Sequence, residues 1–324
     1  MRKNVLVFRA IPDDLLAQLR DAHDVTLADP RKPEQVPAFR EALSRAQGLI
    51  GSSVKLGPAE LDGAPKLEVI SSISVGVDNY DLRLLRERGI TLCHTPGVLT
   101  ETTADTIFSL VMATSRRLVE LSNHVREGRW TRNIGEDLFG WDVHGKTIGI
   151  LGFGRIGQAV ARRAALGFDM PVVFHDPFDV PVPAALAGLA RRQTFDDVLR
   201  SADIVVLTLP LAEETKGLMG AAQFASMKPG AIFVNGSRGA IVQEEALIHA
   251  LDSGHLRAAG LDVFATEPLP IDSPLRSHAK VTPLPHIGSA THETRRAMAE
   301  LATHNLLRAL AGETPRSAFD LSKA

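Results

Sequence analysis

The chain has 324 residues, enough for about two domains of ordinary size, and 44% are hydrophobic, which gives each a sizeable core. A net charge of −2 with no long basic run excludes nucleic acid and an anionic membrane surface as implied partners, while small anionic ligands stay open. A single cysteine, Cys93, excludes an internal disulfide, and its apolar setting between Ile90 and His94 marks a buried structural thiol rather than a nucleophile.

The chain opens MRKNVLVFRA and reaches Pro12 too soon for a signal sequence, and no apolar run approaches a membrane span. The expectation is a cytoplasmic protein. Up to about residue 98, short apolar strands alternate with helical segments: 4–8 then 12–22, 25–28 then 33–46, 48–51 then 58–61, followed by strands at 67–72 and 90–94. That rhythm predicts βαβ units and a parallel sheet. Ser74 to Asp78 forms a turn directly after a strand, where open α/β sheets carry ligand-binding loops. On its own residues it reads first as a plain loop with Asp78 capping a helix.

Residues 100–128 read as one long helix, with apolar Ile107, Leu110, Val111, Leu118 and Leu121, able to link two domains. Residues 129–144 are irregular and hold both tryptophans, Trp130 and Trp141, which pack under a surface loop or against a neighbouring subunit. Thr147 to Leu151 is then a buried strand, Gly152, Gly154 and Gly157 form a G-x-G-x-x-G turn, and a helix runs on from Gln158. The chemistry of that order is specific. One glycine makes the tight turn, the next lets backbone approach a pyrophosphate, and the third lets the helix close on the strand, whose phosphate ligand meets unpaired N–H groups. Glycine-rich turns also join ordinary strands and helices, so the flanks carry the argument.

A second strand, 172–175, ends at Asp176, which stands 19 residues after Gly157, near the ~20 expected of a ribose-binding acid. Its carboxylate would bond a 2′-hydroxyl and repel a 2′-phosphate, and Pro177, Phe178 and Asp179 offer no arginine, which favours NAD(H). The competing reading is an aspartate opening a turn. Strands at 204–209, 231–235, 258–263 and 281–284 follow, and a helix over 291–310 precedes a short polar tail. Leu209, Pro210, Gly236, Ser237, Arg238, Asp262 and His286 sit where these strands stop.

Three ionisable residues after different strands divide the labour of a carbonyl reduction. Arg238 offers a planar fork to a carboxylate or carbonyl oxygen. His286, protonated, supplies the proton that a carbonyl oxygen needs. Glu267 pairs with the imidazolium. Singly, each has a mundane role as a solvated charge, a turn residue or a structural hydrogen-bonder; the argument is their joint position.

With these motifs in place, the sequence resembles the D-isomer-specific 2-hydroxyacid dehydrogenase family along nearly its whole length, through GFGRIG at Gly152, VNGSRG at Val234, AGLDVF at Ala259 with Glu267-Pro268, and PHIGSATHETR at Pro285. Within the family it is most similar to glyoxylate/hydroxypyruvate and 2-ketogluconate reductases, through ISVGVDNYD at Ile73 and HTPGVLTETTADT at His94. The resemblance implies an α/β fold of two doubly wound parallel-sheet domains: a Rossmann cofactor domain of residues 100–288 inserted into a flavodoxin-like substrate domain of residues 1–99 and 289–324. It implies Arg238, Glu267 and His286 as catalytic triad and backbone at Val75 and Gly76 as the cradle of a substrate carboxylate, with domain closure excluding water. Thr103, Arg155, Ile156, Asp176, Leu209, Pro210, Thr215, Gly236, Asp262 and Gly288 become cofactor contacts beside the three loop glycines; no metal is implied. Family members are usually homodimers.

The implied activity is reduction of a small 2-oxo acid, namely glyoxylate, hydroxypyruvate or 2-ketogluconate, to its D-2-hydroxy acid. Many of these reductases prefer NADP(H) and carry a small residue followed by arginines where this chain has Asp176-Pro177. The charge argument favours NAD(H), with NADP(H) possible. Phosphoglycerate dehydrogenase is disfavoured by the lack of an evident phosphate-binding basic cluster, and formate dehydrogenase by the acid pair. An NADH-sensing binding protein of the corepressor type is the competing class, expected to need long tails that the sequence after its last helix does not suggest.

Overall fold

The computed structural model describes residues Met1–Lys323. The chain divides into two compact units, Met1–Leu99 with the segment from Ala290 onward, and Thr100–Ser289. In the first, strands β1 (Asn4–Val7), β2 (Asp24–Leu27), β3 (Gly48–Gly51), β4 (Val69–Ser72) and β5 (Thr91–Cys93) form one parallel sheet in the order β2-β1-β3-β4-β5. β3 and β4 are buried throughout, as a sheet covered on both faces requires. Leu6, Phe8, Leu49, Ile70 and Leu92 form the core with Phe39, Leu43 and Leu85.

The helix His292–Leu310 closes this unit, capped by the Thr291 hydroxyl, which accepts from Thr294 N–H. Its approach to the sheet depends on small residues: a side-chain carbon at Gly48 would stand 2.9 Å from Leu310 Cδ1, and Ser71 Oγ donates to Ala302 O at 2.7 Å. The tail after this helix is more than a polar extension. Ala318 bridges Cys93 in antiparallel sense, and Phe319 N–H donates to Leu92 O at 2.7 Å, covering the edge of β5. Cys93 is fully buried, and burial pushes its thiol up to about 12.

The second unit holds β6 (Ile148–Leu151), β7 (Val172–His175), β8 (Ala190–Arg192), β9 (Ile204–Leu207), β10 (Ala231–Asn235), β11 (Leu256–Leu261) and β12 (Val281–Pro283), all parallel in the order β12-β11-β10-β9-β6-β7-β8. The order reverses between β6 and β9, so the loops after those strands flank a crevice at the carboxyl edge of the sheet. β6, β9 and β10 are buried along their whole length, and separate apolar clusters cover the two faces.

Two sequence expectations are corrected and one unread strand is added. The long helix over 100–128 is two helices, Thr100–Ser115 and Leu118–Arg126, broken at Arg117, whose φ of 53° is left-handed. Arg117 donates to the Glu120 carboxylate in the second helix, and from outside Asp137 O accepts from Arg117 while the Trp141 backbone N–H caps Ser115 O at 2.9 Å. The helix after the 74–78 turn, Leu82–Glu87, has Asp81 rather than Asp78 as its N-cap, accepting from Leu84 N–H at 2.9 Å. The edge strand β8 escapes the sequence reading, because ARR carries no apolar alternation. Of the tryptophans, Trp141 lies beneath the Arg257 guanidinium, 4.5 Å from ring centroid to Cζ, whereas Trp130 is exposed. Among the described residues, no helix is long and apolar enough to cross a membrane.

Candidate active site

The glycine turn after β6 is shaped by two close approaches and one open position. Gly152 has φ 98°, and a side-chain carbon there would lie 2.8 Å from Leu209 N in the loop after β9. At Gly157 such a carbon would stand 2.1 Å from Gly152 O, so helix and turn close together only through hydrogen. Gly154 meets nothing within 4 Å and supplies no side-chain cap to the helix Arg155–Phe168 that starts beside it, at Arg155 and Ile156. Open space before the N–H groups of a 14-residue helix suits a pyrophosphate, so these residues fit a dinucleotide.

Asp176, at the end of β7, is held by two backbone donors: Phe153 N–H to Oδ2 at 2.7 Å and Phe178 N–H to Oδ1 at 3.0 Å. The carboxylate therefore joins the glycine turn to its own turn, with further lone pairs on each oxygen. On the β9 side, Thr215 Oγ1 donates to Pro210 O at 2.7 Å and accepts from Ala212 N–H at 2.8 Å, which folds the loop from Leu209 back on itself. Ser237 Oγ donates to Leu209 O, tying that loop to the one after β10. Gly236 lies against the helix Thr100–Ser115, where a side-chain carbon would come within 2.3 Å of Ile107 Cγ1.

The three ionisable residues all belong to this second unit. Asn235, buried at the end of β10, accepts from Ser237 N–H at 3.0 Å through Oδ1 and donates through Nδ2 to Arg238 O at 3.1 Å, which sets the backbone from which the Arg238 side chain leaves. Asn235 and Ser237 carry structural weight that strand-end position alone did not assign; the Asx-type turn N-x-S after an apolar run is the signal that reveals it. Gly239 permits the next contact, since a side-chain carbon would overlap the Phe264 carbonyl carbon at 1.8 Å. The loop bearing Glu267 thus abuts the loop bearing Arg238.

Glu267 Oε1 accepts from Phe264 N–H at 3.0 Å, and Oε2 lies 2.6 Å from His286 Nδ1. Burial works to raise the Glu267 carboxyl, but the His286 hydrogen bond, the Phe264 N–H and the charges of His286 and Arg238 outweigh it and hold it below its ordinary value. His286 has φ 53°, a conformation unfavourable for a residue with a side chain. Asp262 imposes it. His286 N–H donates to Asp262 O at 2.9 Å, and the buried Asp262 carboxylate accepts from Ile287 and Gly288 N–H at 2.7 and 2.8 Å. Burial keeps the Asp262 carboxyl above its ordinary value despite those two donors. Gly288 is needed beside it: a side-chain carbon would stand 3.2 Å from Asp262 Oδ2 and 3.3 Å from Thr103 Cγ2.

With Nδ1–H facing a carboxylate, Nε2 is the nitrogen left to exchange a proton with a ligand. Glu267 and His286 thereby form a hydrogen-bonded pair, and Arg238, whose charge acts on Glu267, turns Nη1 to Ser237 O at 3.0 Å; Val75 and Gly76 belong to the first unit. There His94 Nδ1 donates to Val75 O at 3.1 Å, and Thr95 N–H donates to Ser74 O at 2.9 Å, which shapes the turn after β4.

A seven-stranded doubly wound sheet with a glycine cradle at its switch point and a paired histidine at the same edge defines a dinucleotide-binding α/β protein equipped for proton transfer. The chain belongs to the D-isomer specific 2-hydroxyacid dehydrogenase family, whose NAD binding domain matches residues 108–288. It is 50% identical over 317 residues to glyoxylate/hydroxypyruvate reductase B of Citrobacter koseri, covering 98% of each chain. A solved structure of a protein from Thermus thermophilus superposes with a TM-score of 0.88 at 42% identity over 99% of this chain and all of that one. The NADPH-dependent glyoxylate/hydroxypyruvate reductase of Sinorhizobium meliloti, in complex with NADP and malonate, superposes with a TM-score of 0.88 at 30% identity, over 99% of this chain and 98% of that one.

Proposed function

We propose that this chain reduces a small 2-oxo acid to its D-2-hydroxy acid, with glyoxylate and hydroxypyruvate as leading substrates and 2-ketogluconate as a further one. The observation that carries the proposal is the 2.6 Å contact between Glu267 and His286 at the carboxyl edge of the sheet that bears the glycine cradle. The reductases of Citrobacter koseri and Sinorhizobium meliloti bear the first two substrates in their names.

In this reading the unit Thr100–Ser289 takes the cofactor and the other unit takes substrate through backbone at Val75 and Gly76. A bound nicotinamide supplies the hydride. Arg238 holds and polarises the carbonyl and carboxylate oxygens; its forked donors favour the charge that grows on oxygen. His286 delivers a proton from Nε2 to that oxygen. Glu267 keeps the resulting ring in the correct tautomer and, ionised itself, stabilises the imidazolium before transfer. Thr103, Leu209, Pro210, Thr215, Gly236, Asp262 and Gly288 shape the nicotinamide side of the crevice, and Arg155 and Ile156 the pyrophosphate side.

Asp176 favours NADH over NADPH, because a fixed carboxylate bonds ribose hydroxyls and repels a 2′-phosphate. We further propose a cytoplasmic homodimer. The support for the dimer is a run of exposed apolar side chains on and after the helix Leu118–Arg126, namely Leu118, Val119, Val125, Trp130, Ile134 and Phe139.

The test is initial-rate oxidation of NADH and NADPH with each of the three acids, for the parent and for His286→Ala. The expected result is rapid NADH turnover with at least one acid and a loss of about 10² to 10⁴ in the variant. An unaltered rate in His286→Ala removes it as the acid, and a kinetic preference for NADPH removes the role given to Asp176.

A further inference from the structure

No arginine stands among the three residues directly after Asp176, yet the fold brings a more distant one to it. Arg192 ends the edge strand β8, whose register pairs it with Phe174 on β7. From there its guanidinium reaches over the turn that opens at Asp176. Nη2 donates to Asp176 O at 2.7 Å and to Phe178 O, while Nη1 donates to the Asp179 carboxylate at 2.9 Å. One side chain thus closes both carbonyls and the acid of this turn at once. The Asp176 carboxylate in turn hangs on the same turn through Phe178 N–H, and on the glycine loop through Phe153 N–H.

We infer that Arg192 is a positioning residue for cofactor selection, acting through Asp176: its guanidinium clamps the turn that presents the Asp176 carboxylate to the adenosine ribose. The inference rests on the proposed role of Asp176 as ribose acid. Discrimination by a carboxylate depends on its place, because charge repulsion with a 2′-phosphate and hydrogen bonds to ribose hydroxyls both weaken as the group swings away. A planar fork suits this task better than an ammonium, since it donates to diverging carbonyl acceptors and a carboxylate together. The positive charge of Arg192 is shared with Asp179 and directed at backbone carbonyls, which argues against a direct role as a phosphate ligand.

The experiment is calorimetric titration of the cofactor-free protein with NADH and with NADPH, for the parent, Arg192→Ala, Arg192→Lys, Asp176→Ala and the Asp176→Ala/Arg192→Ala double variant, with thermal unfolding of each. Arg192→Ala is expected to weaken NADH binding about tenfold with little change for NADPH, so the preference falls by about the same factor. Lysine should restore part of it. In the Asp176→Ala background, removal of Arg192 should leave the preference unchanged, as expected of two residues acting as one unit. If Asp176→Ala keeps the parental preference, the ribose reading fails and the inference with it. If Asp176→Ala shifts the preference but Arg192→Ala does not, or if Arg192→Ala weakens NADPH alone, the clamp is overturned while the ribose reading stands.

Discussion

The three glycines of one turn offer a separation of stability from binding that can be measured with two single-methyl changes. Gly157→Ala places a carbon 2.1 Å from Gly152 O, a backbone atom that cannot rotate away. The helix Arg155–Phe168 must then retreat from β6, and overpacking of this kind costs about 1–3 kcal/mol. For a unit of this size each kcal/mol lowers the midpoint by roughly 2–4 °C, so a fall of about 6 °C is expected in thermal unfolding of the cofactor-free protein. Gly154→Ala adds its carbon into open space at φ −70°, which any residue adopts. Its midpoint should stay within about 2 °C of the parent, a loss of less than ~1 kcal/mol for glycine to alanine at a helix start. Cofactor binding should report the opposite order. If the pyrophosphate lies against Gly154, the new methyl occupies its place, and NADH affinity should drop by at least about tenfold, or ~1.4 kcal/mol. Calorimetric titration and circular dichroism of the same preparations read both quantities. An unchanged midpoint for Gly157→Ala refutes the close-approach argument, and parental NADH affinity in Gly154→Ala refutes the placement of the phosphates.

Glu267→Gln keeps the acceptor for Phe264 N–H but removes the charge beside His286, so turnover at neutral pH should fall by at least about tenfold, the equivalent of ~1.4 kcal/mol across a partly exposed pair; a rate equal to the parent would leave the contact without catalytic weight. Cys93, fully buried with its thiol pushed up to about 12, should resist an aromatic disulfide reagent at pH 8 in the folded protein and react at once in denaturant. Rapid labelling of the native protein would contradict that burial. Asp203 accepts from Thr147 N–H and from Lys228 Nζ, both at 2.9 Å; burial acts to raise its carboxyl, but these partners hold it below the ordinary range. A depressed carboxyl contributes stability that is present above the unfolded value of about 4 and is lost as pH falls through the folded value. Urea unfolding from pH 7 to 3 should therefore show a shallower acid decline in Asp203→Asn than in the parent, and parallel declines would exclude this contribution.

Much of the architecture was legible in the sequence because parallel strands buried on both faces must be continuous apolar runs, and those at 48–51, 172–175 and 231–235 were bounded to the residue. The order strand, glycine turn, helix was legible for a related reason: close approach leaves hydrogen as the only tolerable side chain at Gly157. Arg238, Glu267 and His286 could each be placed after a strand, since strand ends are set by local chemistry. What no local pattern carries is distance between segments. The 2.6 Å contact of Glu267 with His286 depends on Gly239 admitting the Phe264 backbone, and the left-handed His286 depends on an aspartate 24 residues earlier that binds the next two N–H groups. The helix break at Arg117 is decided in the same way, by the carbonyls of Asp137 and Phe139 that its guanidinium meets. The edge strand that brings Arg192 over the Asp176 turn shows no apolar period, because an edge strand has little to bury. Sequence by itself determined the buried strands, most helices and the residues that follow them, through burial and local sterics. Tertiary structure alone decided which of those ends meet, because hydrogen bonds between distant loops are selected by the packing of the whole sheet.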